Sequence, residues 1–235
     1  AVALVNYVVP GSPAASAGII RGDIITKVNG APLTLSNYSQ LSQDQFTLTR
    51  AATAVMTSSA LVTTDRAENI TITKTNIDEN PVAFYKKYNY GGKNIGYLVY
   101  NGFKSDYNDE LNAAFATMKA DGITELVLDL RYNGGGSLET ATALAQMVNG
   151  NYTGQPYVYL DFNAKHNDED GMDYLTNTVK TYNVVNGHPE QTGQQNVNSL
   201  NLSRIYVLVS FQTASASELT VISLNEYVPV TTIGN

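Results

Sequence analysis

Two apolar segments, 125-ELVLDL-130 and 205-IYVLVS-210, each run straight into a loop of small residues and then into a helical pattern. In the first, the loop is 134-GGG-136 and the helix is 138-LETATALAQMV-148, stopping at Gly150. In the second, 213-TASAS-217 leads into a helix around 216–226. Short apolar runs bounded by turn residues read as buried strands, and strands separated by helices imply parallel crossovers in an α/β core. An earlier unit feeds the same core. Residues 82-VAFYKKYNYGGKNIGYLVYNGF-103 read as two strands around Gly91-Gly92, and a helix follows from Ser105 or Asp106. Leu111, Phe115 and Met118 fall at i, i+4 and i+7 of that helix, one apolar stripe, and Gly122 ends it. The strand 228-VPVTTI-233 closes the pattern.

Upstream of a polar boundary at 77-IDENPVAF-84 the pattern is β-rich. Residues 2-VALVNYVV-9 read as a strand. Ser12, Pro13 and Gly18 are placed as N-cap, first helical residue and terminator of one short helix. A strand then leads to Asn29-Gly30, a tight hairpin turn. A short helix is expected over 34–43 from near Ser36, and strands over 46–56 and 70–76, the last alternating Ile70 and Ile72 with threonines. Residues 151–203, rich in Asn, Gln and Tyr, read as a long, partly irregular insertion in the core.

Composition removes several functions. The 235 residues suit one large domain or two modest ones, and 43% hydrophobic against 15% charged residues is a globular balance. Net charge is -7 with 14 scattered basic residues, which argues against a nucleic-acid partner. Cysteine is absent, and with it disulfides, thiolate metal sites and cysteine nucleophiles. No apolar run is long enough to cross a bilayer. No leader precedes Ala1, so the sequence alone points to a cytosolic chain or a processed or trimmed one.

The remaining candidates are few. The cluster 168-DED-170 with Asp173 lacks the ligand spacing of an EF-hand loop and reads as solvated. His166 and His188 lack zinc-ligand spacing and read as surface residues. The glycine loop lacks GK[ST] and G-x-G-x-x-G, so it reads as a tight turn or as backbone N–H groups bared for an oxyanion. Serines at 213-TASAS-217 either cap the helix or present a rigid hydroxyl beside a helix N-terminus. The sequence is not that of an α/β-hydrolase elbow, because G-x-S-x-G is missing.

Taken in order, 8-VVPGSPAASAGIIRGDIITKVNG-30, 129-DLRYNGGG-136 and 213-TASASE-218 resemble the carboxyl-terminal processing peptidases, also called tail-specific proteases. The resemblance implies an α/β fold class: a small β-rich PDZ-like domain over 1–78, N-terminally incomplete, then a crotonase-like (ββα spiral) peptidase core over 79–235, C-terminally incomplete, with the insertion at about 151–203. It implies Ser215 as nucleophile of a Ser–Lys dyad. A lysine can serve as base only if burial lowers its pKa by several units. No lysine follows Lys180, so the catalytic lysine is expected beyond Asn235. Ala216 and a glycine of the loop, Gly135 or next Gly136, are implied for the oxyanion hole. Glu218 would help orient the lysine, and Glu226, about three helical turns from Ser215, is a further candidate. No cofactor or metal is implied. The expected partners are protein or peptide substrates held by their C-terminal tails, in an extracytoplasmic setting, periplasmic or envelope-anchored. Two other uses of the scaffold are a catalytically inactive peptide-binding homologue and a ligand carrier, which would replace the polar cleft at Ser215 with an apolar cavity.

Overall fold

The computed structural model describes residues 1–234, which divide into two compact units at Glu79/Asn80. The first unit holds β1 (Ala3–Leu4), α1 (Pro13–Ser16), β2 (Ile24–Val28), β3 (Ala31–Pro32), β4 (Gln45–Met56) and β5 (Leu61–Thr73). Its sheet runs β1-β2-β4-β5, with β3 pairing β2. Ser12 caps α1 by accepting the Ala15 amide at 3.0 Å, with Pro13 at the first helical position. Asn29 and Gly30 both take positive φ, 49° and 79°, as the two-residue hairpin requires. Ile19, Ile25, Val28, Leu33, Phe46, Leu48 and Ile72 form a separate small core. Beside it, the buried Asp23 carboxylate accepts from Arg50 at 2.9 Å and from the Ile20 amide at 3.0 Å.

Three local expectations change in this unit. The first strand shrinks to two paired residues, Ala3 and Leu4. The helix over 34–43 is a 3-10 turn, Tyr38–Ser42, and Asn37 folds its side chain back onto the Thr34 amide. The hairpin arm β4–β5 is far longer than its apolar alternation suggests. Beyond Ala51 its residues are mostly exposed, so no buried face imposes a period of two. Backbone pairing and hydroxyl contacts such as Thr53 with Thr64 carry it instead.

The second unit opens with the hairpin β6 (Val82–Tyr90) and β7 (Lys93–Tyr100). It continues through α2 (Asn108–Ala120), β8 (Glu125–Asp129) and α3 (Leu138–Val148). The insertion supplies β9 (Pro156–Leu160), β10 (Gly171–Tyr174), β11 (Thr178–Val185) and β12 (His188–Asn196). The chain then forms β13 (Ile205–Val209), α4 (Ala216–Asn225) and β14 (Val230–Gly234). The main sheet runs β14-β13-β8-β7-β6, parallel throughout except for β6. Leu98 lies beside Leu128, and Leu128 beside Val207, so three central strands end at one edge. Leu111, Phe115 and Met118 of α2 are buried as the stripe predicts. In α3 every residue from Thr140 to Val148 is buried, which suits its Ala- and Thr-rich sequence to close helix packing.

The insertion is more ordered than its composition suggests. It forms two antiparallel pairs, β9–β10 and β11–β12. Two buried asparagines of α2 fasten the second pair: Asn108 donates to Lys180 O at 2.9 Å, and Asn112 donates to Asn196 O at 3.0 Å while accepting the Asn198 amide at 2.8 Å. A polar segment gains order here through side-chain-to-backbone bonds, which hydropathy does not register.

At the edge opposite the strand ends, Glu125 at the start of β8 accepts from Arg204, at 2.7 and 3.0 Å, and from Lys93 at the start of β7. The Arg204 and Lys93 hydrogen bonds hold its carboxyl at about 2, below the ordinary 4.5. A depressed carboxyl stabilises the fold above its unfolded value and loses that contribution as pH falls through the folded one. Lys93 and Arg204 are nearly half exposed, so the effect is screened. Glu125→Gln is expected to lower stability at pH 7 by on the order of 1 kcal/mol. The gap to wild type should close as pH is lowered from about 4.5 towards 2 in chemical-denaturation series. A pH-independent gap would contradict the assignment.

Candidate active site at two strand ends

The loops after β8 and β13 are stitched together. The Leu130 amide donates to Leu208 O at 2.9 Å, extending the strand pairing by one step. Thr213 Oγ1 donates to Leu130 O at 2.9 Å and accepts the Ser210 amide at 2.9 Å. The Ser210 hydroxyl donates to Arg131 O. Beneath this, Asp129 is 2% exposed and takes Arg131 Nε and Nη2 at 2.9 and 2.6 Å and the Tyr97 hydroxyl at 2.6 Å. Burial pushes its carboxyl up, but the Arg131 guanidinium, the Tyr97 hydroxyl and the Arg131 amide outweigh that and hold it below the usual range. Asp129 and Arg131 sit two residues apart, and this brace fixes the turn from which the glycine loop departs.

The loop glycines are sterically required. A Cβ on Gly135, at φ 102°, would fall 2.7 Å from Ser215 Cβ and 2.9 Å from the Ala216 nitrogen. A Cβ on Gly136, at φ 138°, would fall 2.2 Å from Phe103 O. Phe103 itself lies beside Gly136, donating to Gly135 O at 3.0 Å and accepting the Ser137 amide at 2.7 Å. Gly135 therefore rests directly on Ser215 and Ala216, although 80 residues separate them in sequence.

Ser215 precedes α4 with φ 56° and ψ -119°, a conformation that strains any residue bearing a Cβ. The surroundings fix it. Its amide donates to Glu218 Oε2 at 2.7 Å, and its carbonyl accepts the Leu219 amide at 2.9 Å. Ala216 occupies the first helical position, where the helix itself offers its amide no acceptor. The neighbouring serines have other duties: Ser217 is buried with its hydroxyl on Asn133 O at 2.9 Å, and Ser223 lies two turns along α4. Among these serines, Ser215 is exposed.

The structure thus brings together Ser215, Ala216, Glu218 and Gly135, with Gly136 adjoining. The Gly135 amide donates to Asn133 Oδ1 at 2.9 Å. Glu226 does not join them. It caps the far end of α4, about 16 Å along the axis from Ser215, because a helix advances about 1.5 Å per residue. His166 and His188 are exposed in the insertion, the first beside Glu169 at 2.8 Å. Among the described residues no group of acidic and histidine side chains is placed to hold a metal. Sequence reasoning passed over Asn133, Thr213 and the Asp129–Arg131 pair. The available signal was polar side chains at a buried strand's end, where loop backbone needs partners.

Residues 94–235 match the profile of Peptidase family S41, and residues 4–49 match that of a PDZ domain. The chain belongs to peptidase family S41, with a β-rich PDZ domain ahead of a mixed α/β S41 core. It is 31% identical over 144 residues to a chain described as a CtpA-like serine protease of Staphylococcus aureus, strain bovine RF122 / ET3-1, an alignment covering 61% of this chain and 27% of that one. A Staphylococcus saprophyticus relative of the same description is 31% identical over 139 residues, 58% of this chain and 26% of the relative. This chain therefore spans about a quarter of the length of those curated relatives. A crystal structure assigned as an S41 protease, from Bacteroides fragilis NCTC 9343, superposes with a TM-score of 0.78 at 31% identity, covering 100% of this chain and 59% of that one.

Backbone strain at Ser215 has a measurable consequence. Ser215→Gly is expected to melt above Ser215→Ala, by about 1 kcal/mol, because glycine relieves strain of about 1–3 kcal/mol while regaining unfolded-state freedom. Gly135→Ala should do the reverse, losing about 1–3 kcal/mol through overpacking against Ser215. Thermal and denaturant unfolding of the three variants would decide both, and equal stability of the two Ser215 variants would refute the strain.

Proposed function

We propose that this chain is the substrate-binding and nucleophile-bearing part of a serine endopeptidase that cleaves proteins near their C-termini. The reading is carried by one observation: the exposed Ser215, in a strained turn, packs on Gly135 and directly precedes the first amide of α4. In the proposed reaction, Ser215 Oγ attacks the scissile carbonyl and its proton passes to a lysine beyond Asn235. The Ala216 amide and the Gly136 amide receive the oxyanion, since the Gly135 amide is already given to Asn133 Oδ1, and the α4 N-terminus aids them. Collapse expels the C-terminal fragment as an amine, protonated by the lysine, and water then releases the acyl group from Ser215. Glu218, which holds the Ser215 amide, is suited to orient the lysine as well.

In this proposal the boundaries follow the sequence pattern. Residues 1–78 act as the PDZ-like substrate-presenting domain, and 79–235 form the peptidase core with the insertion at 151–203. Substrate tails would add to the PDZ sheet as a strand. The setting is proposed as extracytoplasmic, on the family resemblance; among the described residues no helix is long and apolar enough to cross a membrane.

The experiment uses the full-length protein, including the residues after Asn235, with a folded substrate carrying an unstructured C-terminal tail. Ser215→Ala should lower cleavage by on the order of 10⁴-fold or more, while Ser223→Ala should keep it near wild type. Tail binding with no cleavage in wild type would instead mark a peptide-binding homologue.

A further inference from the structure

Asn133 is fully buried between the end of β8 and the glycines, and its polar atoms reach every segment of the site. Its Nδ2 donates to Tyr100 O, at the end of β7, at 2.9 Å. Its Oδ1 accepts the Gly135 amide at 2.9 Å. Its amide donates to Leu130 O at 3.0 Å. Its carbonyl accepts the Ser217 hydroxyl at 2.9 Å and the Ala214 amide at 3.3 Å. The last two partners stand on either side of Ser215. One residue therefore spans from β7 through the glycine loop to both flanks of the strained turn.

We infer that Asn133 is the positioning residue that sets the glycine loop against the Ser215–Ala216 turn. This inference rests on the peptidase reading for its kinetic consequence but not for its structural one. An asparagine is required because the two side-chain bonds run in opposite senses: one atom donates to a carbonyl while the other accepts an amide. Aspartate has the shape but, when ionised, presents an oxygen to Tyr100 O and cannot donate. Burial raises the pKa of such a carboxyl, so protonation restores the donor as pH falls. Leucine has similar bulk and satisfies neither partner, leaving the Gly135 amide and Tyr100 carbonyl unpaired. A displacement of about 1 Å between oxyanion donors and nucleophile is enough to lower turnover by on the order of 10²-fold.

The test compares Asn133→Asp and Asn133→Leu with Met118→Ala, a core change far along α2 that lowers stability without touching the loops. In the full-length enzyme, Asn133→Asp should lower kcat by on the order of 10²-fold at neutral pH with KM little changed, and should regain activity relative to wild type as pH falls. Met118→Ala should lose stability while keeping kcat. A second arm needs no turnover: amide hydrogen exchange of residues 130–137 and 212–218 should quicken together in both Asn133 variants and not in Met118→Ala. Wild-type kcat in Asn133→Asp across the pH range would overturn the inference. So would unchanged exchange in both loops, even if the full-length protein proved inactive and the peptidase reading had failed on its own terms.

Discussion

Parallel pairing of β8 with β13 is the constraint on which the rest of the site depends. Parallel neighbours in register finish at the same edge of a sheet, so the chain must leave both strands into one small volume. Asp129 beside Leu208 fixes how far each strand runs before turning. The Leu130 amide on Leu208 O and Thr213 on Leu130 O then continue the pairing into the loops. A slip by one residue would carry Gly135 off Ser215 and Ala216, and would break the Leu130–Leu208 and Thr213–Leu130 bonds that join the two loops. The edge opposite is clamped by Glu125, Lys93 and Arg204, so strand register is held from both ends.

The arrangement concentrates unusual backbone at this edge. Gly135, Gly136 and Ser215 all have φ between 56° and 138°, and each is in contact with backbone of another segment. Such conformations persist when surrounding bonds over-determine them. Here those bonds come from Glu218 on Ser215, Phe103 on the residues flanking Gly136, and Asn133 beneath the loop. The site is thus held in shape by its neighbours: the two glycines accept positive φ freely, while Ser215, taken alone, would choose another conformation.

Much of this was legible in the sequence, and unevenly so. The core strands and helices could be read because their apolar periodicity records a buried face: α2 and its stripe, β8, and α3 emerge where the pattern places them. The meeting of the glycine loop with Ser215 was legible from two like strand-to-helix junctions. Elements whose order comes from elsewhere were not. The outer half of β4–β5 buries no face, and β11–β12 is tied down by Asn108 and Asn112 rather than by hydrophobic contact. Glu226 shows the limit of counting residues along a helix. About three turns is a whole number of rotations but also the full length of α4, so it stands at the opposite end of the helix from Ser215. Asn133 was invisible for a different reason: much of its meaning lies in Tyr100, Ala214 and Ser217, three partners distant in sequence.

The strained turn at Ser215 has a consequence for how such a chain would drift over generations. Serine and glycine codons can differ by a single base, and the exchange would here remove a steric penalty from the fold. Thermodynamic pressure at this position therefore opposes the hydroxyl. In a lineage released from any need for that hydroxyl, glycine is the downhill replacement, since substitutions that relax a functional site often stabilise the scaffold. A serine retained in such a conformation is held against the preference of its own backbone.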